Sequence, residues 1–326
     1  MITISPLLPM NSTHEKKQPN KGTKPYILTK ATERILRAAH FYRFLTALDF
    51  ATLLYSPSSL TYARALLSEL AGGEDFKTNE YLYRFKLPNG TSNGSRIYTL
   101  GVKGRNYLVS ELGLPADWYF RPHKLKYLSY CQADHNLSLA RFQISAQAWA
   151  KKQPNYRIAH IRICYELAQT APIIEITTQG KTERLKVIPD AWVCFQKLRD
   201  GSGEHERFMP VLLELDRGTE HQLRFKQHVR SKIAFIQTGA YRQLFHTNAV
   251  VIAYVTTGQT PDYQRTRRKA ICRFTMEVLK ELGKESWASI FRITSTSLEH
   301  IYETPFFDAP IWYRPDSDTP VPLFTP

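Results

Sequence analysis

This sequence lacks any apolar run long enough to cross a membrane. A spanning helix needs about 20 consecutive, mainly apolar residues, and no such stretch occurs among the 326 residues. The segment Met1–Met10 is apolar, but it is short, has no basic residues ahead of it, and is followed by polar residues. We therefore expect neither a transmembrane helix nor a signal peptide, and no membrane partner.

Cysteine is scarce, and the cysteines lie far apart. They are Cys131, Cys164, Cys194 and Cys272. Zinc sites and redox pairs need cysteines at short spacings, and no such pair occurs here. Cys164 and Cys194 fall within apolar runs, which predicts buried, reduced thiols and a cytoplasmic location.

Acidic residues are few relative to basic ones. The chain has 44 Lys and Arg against 29 Asp and Glu, a net charge of +15. Residues 1–130 contain 18 basic and 9 acidic residues, whereas the longer remainder contains 26 and 20. This balance favours a polyanionic partner. Because the smaller part carries more of the charge, we expect it to bind double-stranded DNA.

Glycine-rich motifs of nucleotide-binding proteins and serine hydrolases are also absent. The stretch richest in candidate residues is Lys186–Glu220, which contains the runs V-I-P-D-A-W-V and V-L-L-E-L-D. These runs predict two buried strands joined as a hairpin by a polar loop. Side chains alternate along a strand, so Glu214 and Asp216 share a face, and Asp190 lies on the neighbouring strand.

Carboxylates brought together in this way repel one another unless a cation joins them. Mg²⁺ or Mn²⁺ with oxygen ligands supplies that charge. The pattern predicts a metal site formed by Asp190, Glu214 and Asp216. Glu166, near the edge of an apolar run, is a candidate for a fourth carboxylate. The alternative is that these acids are ordinary exposed strand residues, or partners of Arg217 and Lys226.

The motifs V-I-P-D-A-W-V and L-L-E-L-D-R-G-T-E resemble the C-terminal half of the replication-relaxation family, proteins of plasmids and other mobile elements. The same layout is similar to the PD-(D/E)XK nuclease superfamily. The core of that superfamily is a helix, a strand hairpin carrying the acidic residues, a helix and further strands. The resemblance implies a Mg²⁺-dependent DNA endonuclease, a hydrolase of phosphodiesters, with replication or mobile-element proteins as further partners.

One departure from the superfamily pattern concerns its E-x-K motif, which is Glu214-Leu215-Asp216 here. Some members carry a second acid in place of the lysine, so Asp216 does not exclude cleavage. Lys226 and Lys232, on the predicted following helix, are the candidates to replace the missing lysine. The alternative function is a catalytically inactive regulator of replication or transcription that binds DNA without turnover.

The first part of the chain predicts three short helices followed by a hairpin. The apolar spacing indicates helices from Thr32, over Ala47–Tyr55 and from Pro57 to Leu70. Strands are predicted over Tyr81–Leu87 and Arg96–Leu100. This is the order of a winged helix-turn-helix, and the resemblance to the replication-relaxation family extends here through R-I-Y-T-L-G-V-K-G-R-N-Y-L.

In such a domain the third helix enters the major groove and the wing follows the backbone. The candidate DNA contacts on the helix are Ser58, Ser59, Tyr62 and Arg64. The candidates on the wing are Arg84, Lys86 and Arg96. The alternative is a winged helix that serves only as a protein-interaction module.

The remainder of the chain alternates predicted helices and strands. The helices are Asp134–Lys152, Thr219–Thr238 and one that begins at Thr260. The strands outside the acidic hairpin are Arg157–Leu167, Ile173–Thr178, Ala249–Thr256 and Ile290–Thr294. This order predicts a mixed sheet with helices on its faces. Basic residues of the two later helices are further DNA-contact candidates, namely Arg224, Arg230, Arg267 and Arg268.

We therefore predict an α/β protein of two domains. A basic arm (1–28) precedes the winged helix-turn-helix domain (29–130), which is followed by the PD-(D/E)XK nuclease-like domain (131–302). Recurrent prolines predict a tail without regular structure over 303–326. The sequence leaves the oligomeric state open, and a dimer is compatible with it.

Overall fold

The structure is a computed structural model. It describes residues 28–72, 80–86, 96–115, 130–178, 181–198, 207–218, 220–258, 260–297 and 299–324, except the side chains of residues 130, 131, 177, 178 and 181. The predicted basic arm, apart from Leu28, lies outside these residues, as do the tip of the predicted wing and most of the segment before residue 130.

The N-terminal part is a set of helices around a small sheet. Its helices are α1 (Lys30–Tyr42), α2 (Ala47–Leu54), α3 (Leu60–Leu70) and α4 (Val102–Ser110). Its strands are β1 (Leu45–Thr46), β2 (Leu82–Lys86) and β3 (Arg96–Leu100), in the antiparallel order β1-β3-β2. Thr29 and Thr46 each form a capping box, which fixes where α1 and α2 begin. The three helices and the hairpin that the apolar spacing predicts are all present.

Helix α5 (Tyr130–Lys152) belongs to both parts of the molecule. Ala140 and Ile144 join the apolar cluster of the N-terminal helices. Leu139 and Phe142 face the other way, into the cluster beneath the large sheet. The two cores therefore meet along one helix, and the predicted boundary at residue 130 does not separate two independent cores.

The large sheet has seven strands in the order β12-β11-β10-β9-β8-β7-β4. They are β4 (Tyr156–Ile163), β7 (Ala191–Lys197), β8 (Arg207–Asp216), β9 (Val251–Thr257), β10 (Phe291–Thr296), β11 (Trp312–Tyr313) and β12 (Pro320–Val321). Strands β4, β7 and β8 are antiparallel neighbours, whereas β8, β9 and β10 are parallel. The protein is thus a mixed α/β structure with a large mixed sheet.

Helices cover both faces of this sheet. Helix α5 packs on one face, and α7 (Gln222–Gln237) and α9 (Pro261–Glu281) pack on the other. A short helix α8 (Ala240–Phe245) connects α7 to β9. Thr260 caps α9 as expected, whereas the predicted cap of α7, Thr219, is not among the described residues and His221 occupies the N-cap position.

The region between β4 and β7 differs from the prediction. Strand β4 ends at Ile163, and helix α6 (Cys164–Thr170) replaces the predicted end of the strand. The carboxylate of Glu166 accepts a hydrogen bond from the Ile163 amide at 3.2 Å, which starts the helix. Strands β5 (Ile173–Thr178) and β6 (Lys181–Lys186) then form a separate two-stranded sheet.

The prediction that regular structure ends at residue 303 is wrong. Strands β11 and β12 add to the edge of the large sheet, and Phe306, Trp312 and Leu323 are fully buried in its core. Pro320 lies in the outermost strand, opposite Tyr313. A proline is tolerated there because an edge strand has N–H groups that need no ladder partner.

None of the described helices is both long enough and apolar enough to span a membrane.

A buried carboxylate joins the N-terminal part to the rest of the chain. Asp49 of α2 is 0% exposed. Its Oδ1 accepts hydrogen bonds from Arg141 Nε of α5 and from the Tyr302 hydroxyl, both at 2.8 Å. Its Oδ2 accepts the Thr46 amide at 2.7 Å and the Thr46 hydroxyl at 2.8 Å. One side chain thus links α2 to α5 and to the C-terminal segment.

We expect Asp49→Asn to destabilise the whole chain, because it removes the carboxylate that accepts the hydrogen bond of the buried Arg141 guanidinium. Breaking a buried pair in this way costs about 3–5 kcal/mol, which urea unfolding would measure. The control is Glu33→Gln, which removes the partner of Arg37 in an exposed pair at 2.8 Å and should cost about 1 kcal/mol or less. Equal effects of the two substitutions would contradict this role for Asp49.

Candidate functional site

A cavity of about 950 Å³ lies where α5, β8 and α7 meet the segment that leads into β7. Three of the predicted acids, Asp190, Glu214 and Asp216, line it. They reach it from the start of β7 and the end of β8, which pair in antiparallel register. The predicted hairpin is therefore present, and it brings its acidic residues to one cavity.

Asp190 is held at this position from three directions. Its carbonyl oxygen accepts the Cys164 amide at 2.9 Å. Its Oδ2 accepts the Leu215 amide of β8 at 2.8 Å, and its Oδ1 lies 3.1 Å from Nε2 of His135 on α5. The carboxylate is thereby fixed in orientation, but its side chain remains about one-fifth exposed, at 22%.

Glu214 and Lys232 form a buried ion pair beside Asp190. Lys232 Nζ, from α7, lies 3.2 Å from Glu214 Oε1. Both side chains are largely buried, with 6% of Lys232 and 15% of Glu214 exposed, so Lys232 is the cation that balances the Glu214 carboxylate. Burial, together with the nearby Asp190, raises the pKa of Glu214 against the opposing effect of Lys232.

Tyr254 of β9 lies next to both members of this ion pair. It stands opposite Glu214 in the parallel register of β8 and β9, and Lys232 Nζ lies 5.6 Å from the centre of its ring. Burial raises the pKa of the Tyr254 hydroxyl. Tyr254 was not predicted as a site residue. A single tyrosine in the otherwise aliphatic run A-V-V-I-A-Y-V was the available signal for Tyr254.

Asp216 does not join the other two carboxylates as predicted. Its Oδ2 and Oδ1 accept hydrogen bonds from Nε and NH2 of Arg267, both at 2.8 Å, and Oδ2 also accepts the Gly218 amide at 3.2 Å. This two-pronged contact ties the end of β8 to α9. Asp216 therefore has a structural partner, Arg267 of α9.

The predicted cluster of three or four metal-binding acids is not formed. Across the described residues, no group of three or more His, Cys, Asp or Glu is placed to hold a metal ion. Glu166 caps α6 and does not line the cavity. The acidic residues that remain as an adjacent pair are Asp190 and Glu214.

Of the two lysines predicted to replace the missing one, the structure brings only Lys232 to the acids. Lys226 lies on a different face of α7, where its Nζ is 2.8 Å from Glu277 and 3.5 Å from Glu281 of α9. Arg217, considered above as a partner of the acids, lies 2.7 Å from Asp134 of α5. Lys226 is thus a structural residue between two helices.

The predicted DNA contacts of α3 lie at the surface. Ser58 and Arg64 are exposed, Ser59 is partly exposed, and Tyr62 is 50% exposed beside the Tyr55 ring. Tyr62 and Arg64 lie on α3, whereas Ser58 and Ser59 lie in the 3-10 turn Pro57–Ser59 that precedes it.

Among the wing candidates, Lys86 and Arg96 are exposed and stand opposite each other in the β2–β3 register. Arg84 is only 5% exposed, so the prediction that it contacts DNA is wrong. Its side chain belongs to the inner part of β2, where it is paired with Tyr98 in register.

The four basic candidates of the later helices also differ in whether their side chains are available to a ligand. Arg224 lines the cavity and is largely exposed, 3.7 Å from Glu220. Arg230 contacts Glu281, Arg267 holds Asp216, and Arg268 stacks over the Tyr313 ring at 3.5 Å. These last three side chains serve contacts within the protein, and of this group only Arg224 lies at the cavity.

Comparison with protein-family models, with curated proteins and with solved structures finds no match for this chain.

We expect Asp190→Asn to lower the pKa of His135. Burial favours the neutral ring, but the hydrogen bond and charge of Asp190 outweigh it, so the pKa of His135 is raised in the wild type. Without the anion, burial and the Arg217 charge lower the pKa, and only the Glu214 charge opposes them. The stabilisation from this contact is complete below about pH 6.5, the ordinary pKa of histidine, and is lost as the pH rises through the raised value. NMR titration of the imidazole signals measures the change, with the exposed His300 as the control that should not move.

We also expect Lys232→Met to destabilise the fold more at pH 8 than at pH 5. Losing the ammonium raises the pKa of Glu214 further, since Lys232 is the charge that opposes burial. A carboxyl with a raised pKa costs stability as the pH climbs above its unfolded value. Urea unfolding at the two pH values measures the difference. Lys226→Met, on the same helix, should show a small and nearly pH-independent change.

Proposed function

We propose that this chain is a DNA-binding protein of the replication-relaxation type whose C-terminal part is a metal-dependent DNA endonuclease. Support comes first from the order of elements. Helix α5, the antiparallel strands β4, β7 and β8, helix α7 and the parallel strand β9 occur in the order of the PD-(D/E)XK core, with α6, β5 and β6 inserted between β4 and β7 and α8 between α7 and β9. The acids stand at the start of β7 and the end of β8, as that core requires.

The observation that carries the proposal is the convergence of Asp190, Glu214 and Lys232 in one cavity. Two acids on neighbouring strands and one lysine are the residue types of the superfamily motif. The lysine comes from α7 rather than from the strand. Lys232 therefore stands in for the lysine that Asp216 replaces in the sequence.

The residues also fit Mg²⁺, or Mn²⁺ in its place. Mg²⁺ in nucleases and polymerases is held by one or two carboxylates, with water and substrate phosphate as the other ligands. Asp190 and Glu214 would be those carboxylates, since both line the cavity and the Asp190 side chain is 22% exposed there. The ion would supply an activated water and charge stabilisation at the phosphate.

The roles of the chain's own residues follow from their contacts. The Leu215 amide and His135 fix the direction of the Asp190 carboxylate. Lys232 keeps its proton, because burial is outweighed by Glu214 and its other anionic neighbours, so its pKa is raised. It thus presents a positive charge to the phosphate that enters the cavity, where Arg224 at the rim adds a second.

For the N-terminal part we propose a winged helix-turn-helix that binds duplex DNA. Helices α2 and α3 are followed by the β2–β3 hairpin, and the exposed Tyr62 and Arg64 lie on α3. Lys86 and Arg96 add positive charge at the hairpin. Phosphate contacts of this kind dominate affinity for DNA and make it strongly salt-dependent.

A second candidate is a regulator that binds DNA without cleaving it. One observation favours it: Lys232 already neutralises Glu214, and Arg267 already neutralises Asp216. The protein therefore balances these charges without a divalent ion. In this case DNA binding persists, but metal binding and turnover are absent.

A cleavage assay with matched variants separates the two candidates. We expect weak cleavage of supercoiled, duplex or single-stranded DNA with Mg²⁺ or Mn²⁺, and none in EDTA. Asp190→Asn, Glu214→Gln and Lys232→Met should each lower the rate by about 10²–10³-fold, the cost of removing one group that stabilises transition-state charge. Lys226→Met should stay within about 2-fold, since Lys226 lies outside the cavity.

DNA binding should survive all four substitutions, because most phosphate contacts come from the N-terminal part. Equal cleavage by the wild type and Asp190→Asn would mean a contaminating nuclease. Absence of cleavage on every substrate, with no Mn²⁺ binding by calorimetry, would favour the regulator.

A further inference from the structure

Arg43 adopts a backbone conformation that an arginine seldom takes. It follows α1 directly with φ 68° and ψ −50°, and the amide of Phe44 donates to the Tyr42 carbonyl at 2.8 Å. This is the γ-turn with positive φ, the rare and strained form. Among the described non-glycine residues only Arg43 and His246 have positive φ.

A glycine would relieve this strain, and glycine is the residue most often found just after a helix in a positive-φ conformation. An arginine at such a position costs stability, so its presence calls for a role of its side chain. Strained residues of this kind concentrate at functional sites. The position of the Arg43 guanidinium therefore indicates what that role is.

The Arg43 side chain reaches from the N-terminal part to helix α6. Its guanidinium carbon lies 5.2 Å from the centre of the Tyr165 ring on α6. The Tyr165 hydroxyl donates to the Phe41 carbonyl at 3.2 Å, which fixes the ring against α1. The next residue back along α6, Cys164, donates its amide to the Asp190 carbonyl at 2.9 Å. Arg43 and Asp190 thus flank the first turn of α6.

The positive charge of Arg43 is not paired with a carboxylate among the described residues. Arg141, Arg217 and Arg267 each face a carboxylate, whereas Arg43 contacts an aromatic ring and has no acidic partner in the described ranges. Its side chain is only partly buried. A guanidinium that is stacked, oriented and unpaired is suited to bind a phosphate, since the ring holds its plane and leaves its N–H groups free.

We infer that Arg43 binds a phosphate of the DNA strand that enters the cavity at Asp190. The inference rests on the proposed DNA binding and adds to it a phosphate contact where the end of α1 meets α6, outside the lining of the cavity. Arg43 is a positioning residue: it fixes the path of the strand and takes no part in bond breaking. The strained turn at Arg43 then lowers stability, but it positions the guanidinium between the two parts.

The test measures binding of the full-length protein to fluorescein-labelled duplex and single-stranded oligonucleotides over a range of salt concentrations. Each phosphate contact contributes about 0.9 to the slope of log affinity against log salt. Arg43→Gln and Arg43→Gly should each make the slope shallower by about that amount on at least one of the two DNAs. Arg43→Lys, which keeps the charge, should keep most of the slope.

The matched control is His246→Gly, which changes the other positive-φ residue. Both glycine substitutions should leave the melting temperature unchanged or higher, because glycine relieves each turn. Only Arg43→Gly should change the salt slope. If Arg43 merely braced α6 through Tyr165, Arg43→Gly would lower the melting temperature and leave the slope as it was.

The outcomes also separate this inference from the proposed function. A wild-type protein that binds neither DNA would overturn the proposed function, and this inference with it. A wild type that binds with a steep slope, together with Arg43→Gln and Arg43→Gly slopes equal to it, would overturn the role of Arg43 alone. If Arg43→Gly fails to fold, the salt slope of Arg43→Gln decides between these outcomes, because that variant removes the charge without introducing a glycine.

Discussion

The two-residue period of strand β8 is the constraint on which the candidate site depends. Val211, Leu213 and Leu215 point towards α5, whereas Leu212, Glu214 and Asp216 point towards α7 and α9. The strand is antiparallel to β7 on one side and parallel to β9 on the other. Its last residues lie at the same place as the start of α5, the start of β7 and the side of α7.

Acidic residues on a buried strand face require cations from the helix that covers it. Helix α7 supplies Lys232 to Glu214, and α9 supplies Arg267 to Asp216. These two pairs differ in an instructive way. Arg267 binds both oxygens of Asp216 through hydrogen bonds, whereas the contact that Lys232 makes is with Oε1 of Glu214. Asp216 is thus held by a two-pronged contact, and Glu214 by a buried charge pair.

Much of this arrangement could be predicted from local patterns. Alternation of side chains placed Glu214 and Asp216 on one face, and the apolar runs located most helices and strands to within a few residues. Distances between carboxylates could not be predicted, because they depend on which helix residues insert between them. Nothing in the spacing of Lys226 and Lys232 says which one faces the sheet; only the packing of α7 decides it. Arg84 and the strands after residue 303 were mispredicted for the same reason, since burial in a shared core outweighs polarity and proline content.

Helix α5 has apolar residues in two cores, and this restricts how the two parts of the molecule can move relative to each other. Ala140 and Ile144 are buried among the N-terminal helices, and Leu139 and Phe142 beneath the large sheet. Neither part can rotate against the other without uncovering one side of the helix. A ligand bound to α3 would consequently be kept at a fixed distance and angle from the cavity, because α5 connects the two parts rigidly.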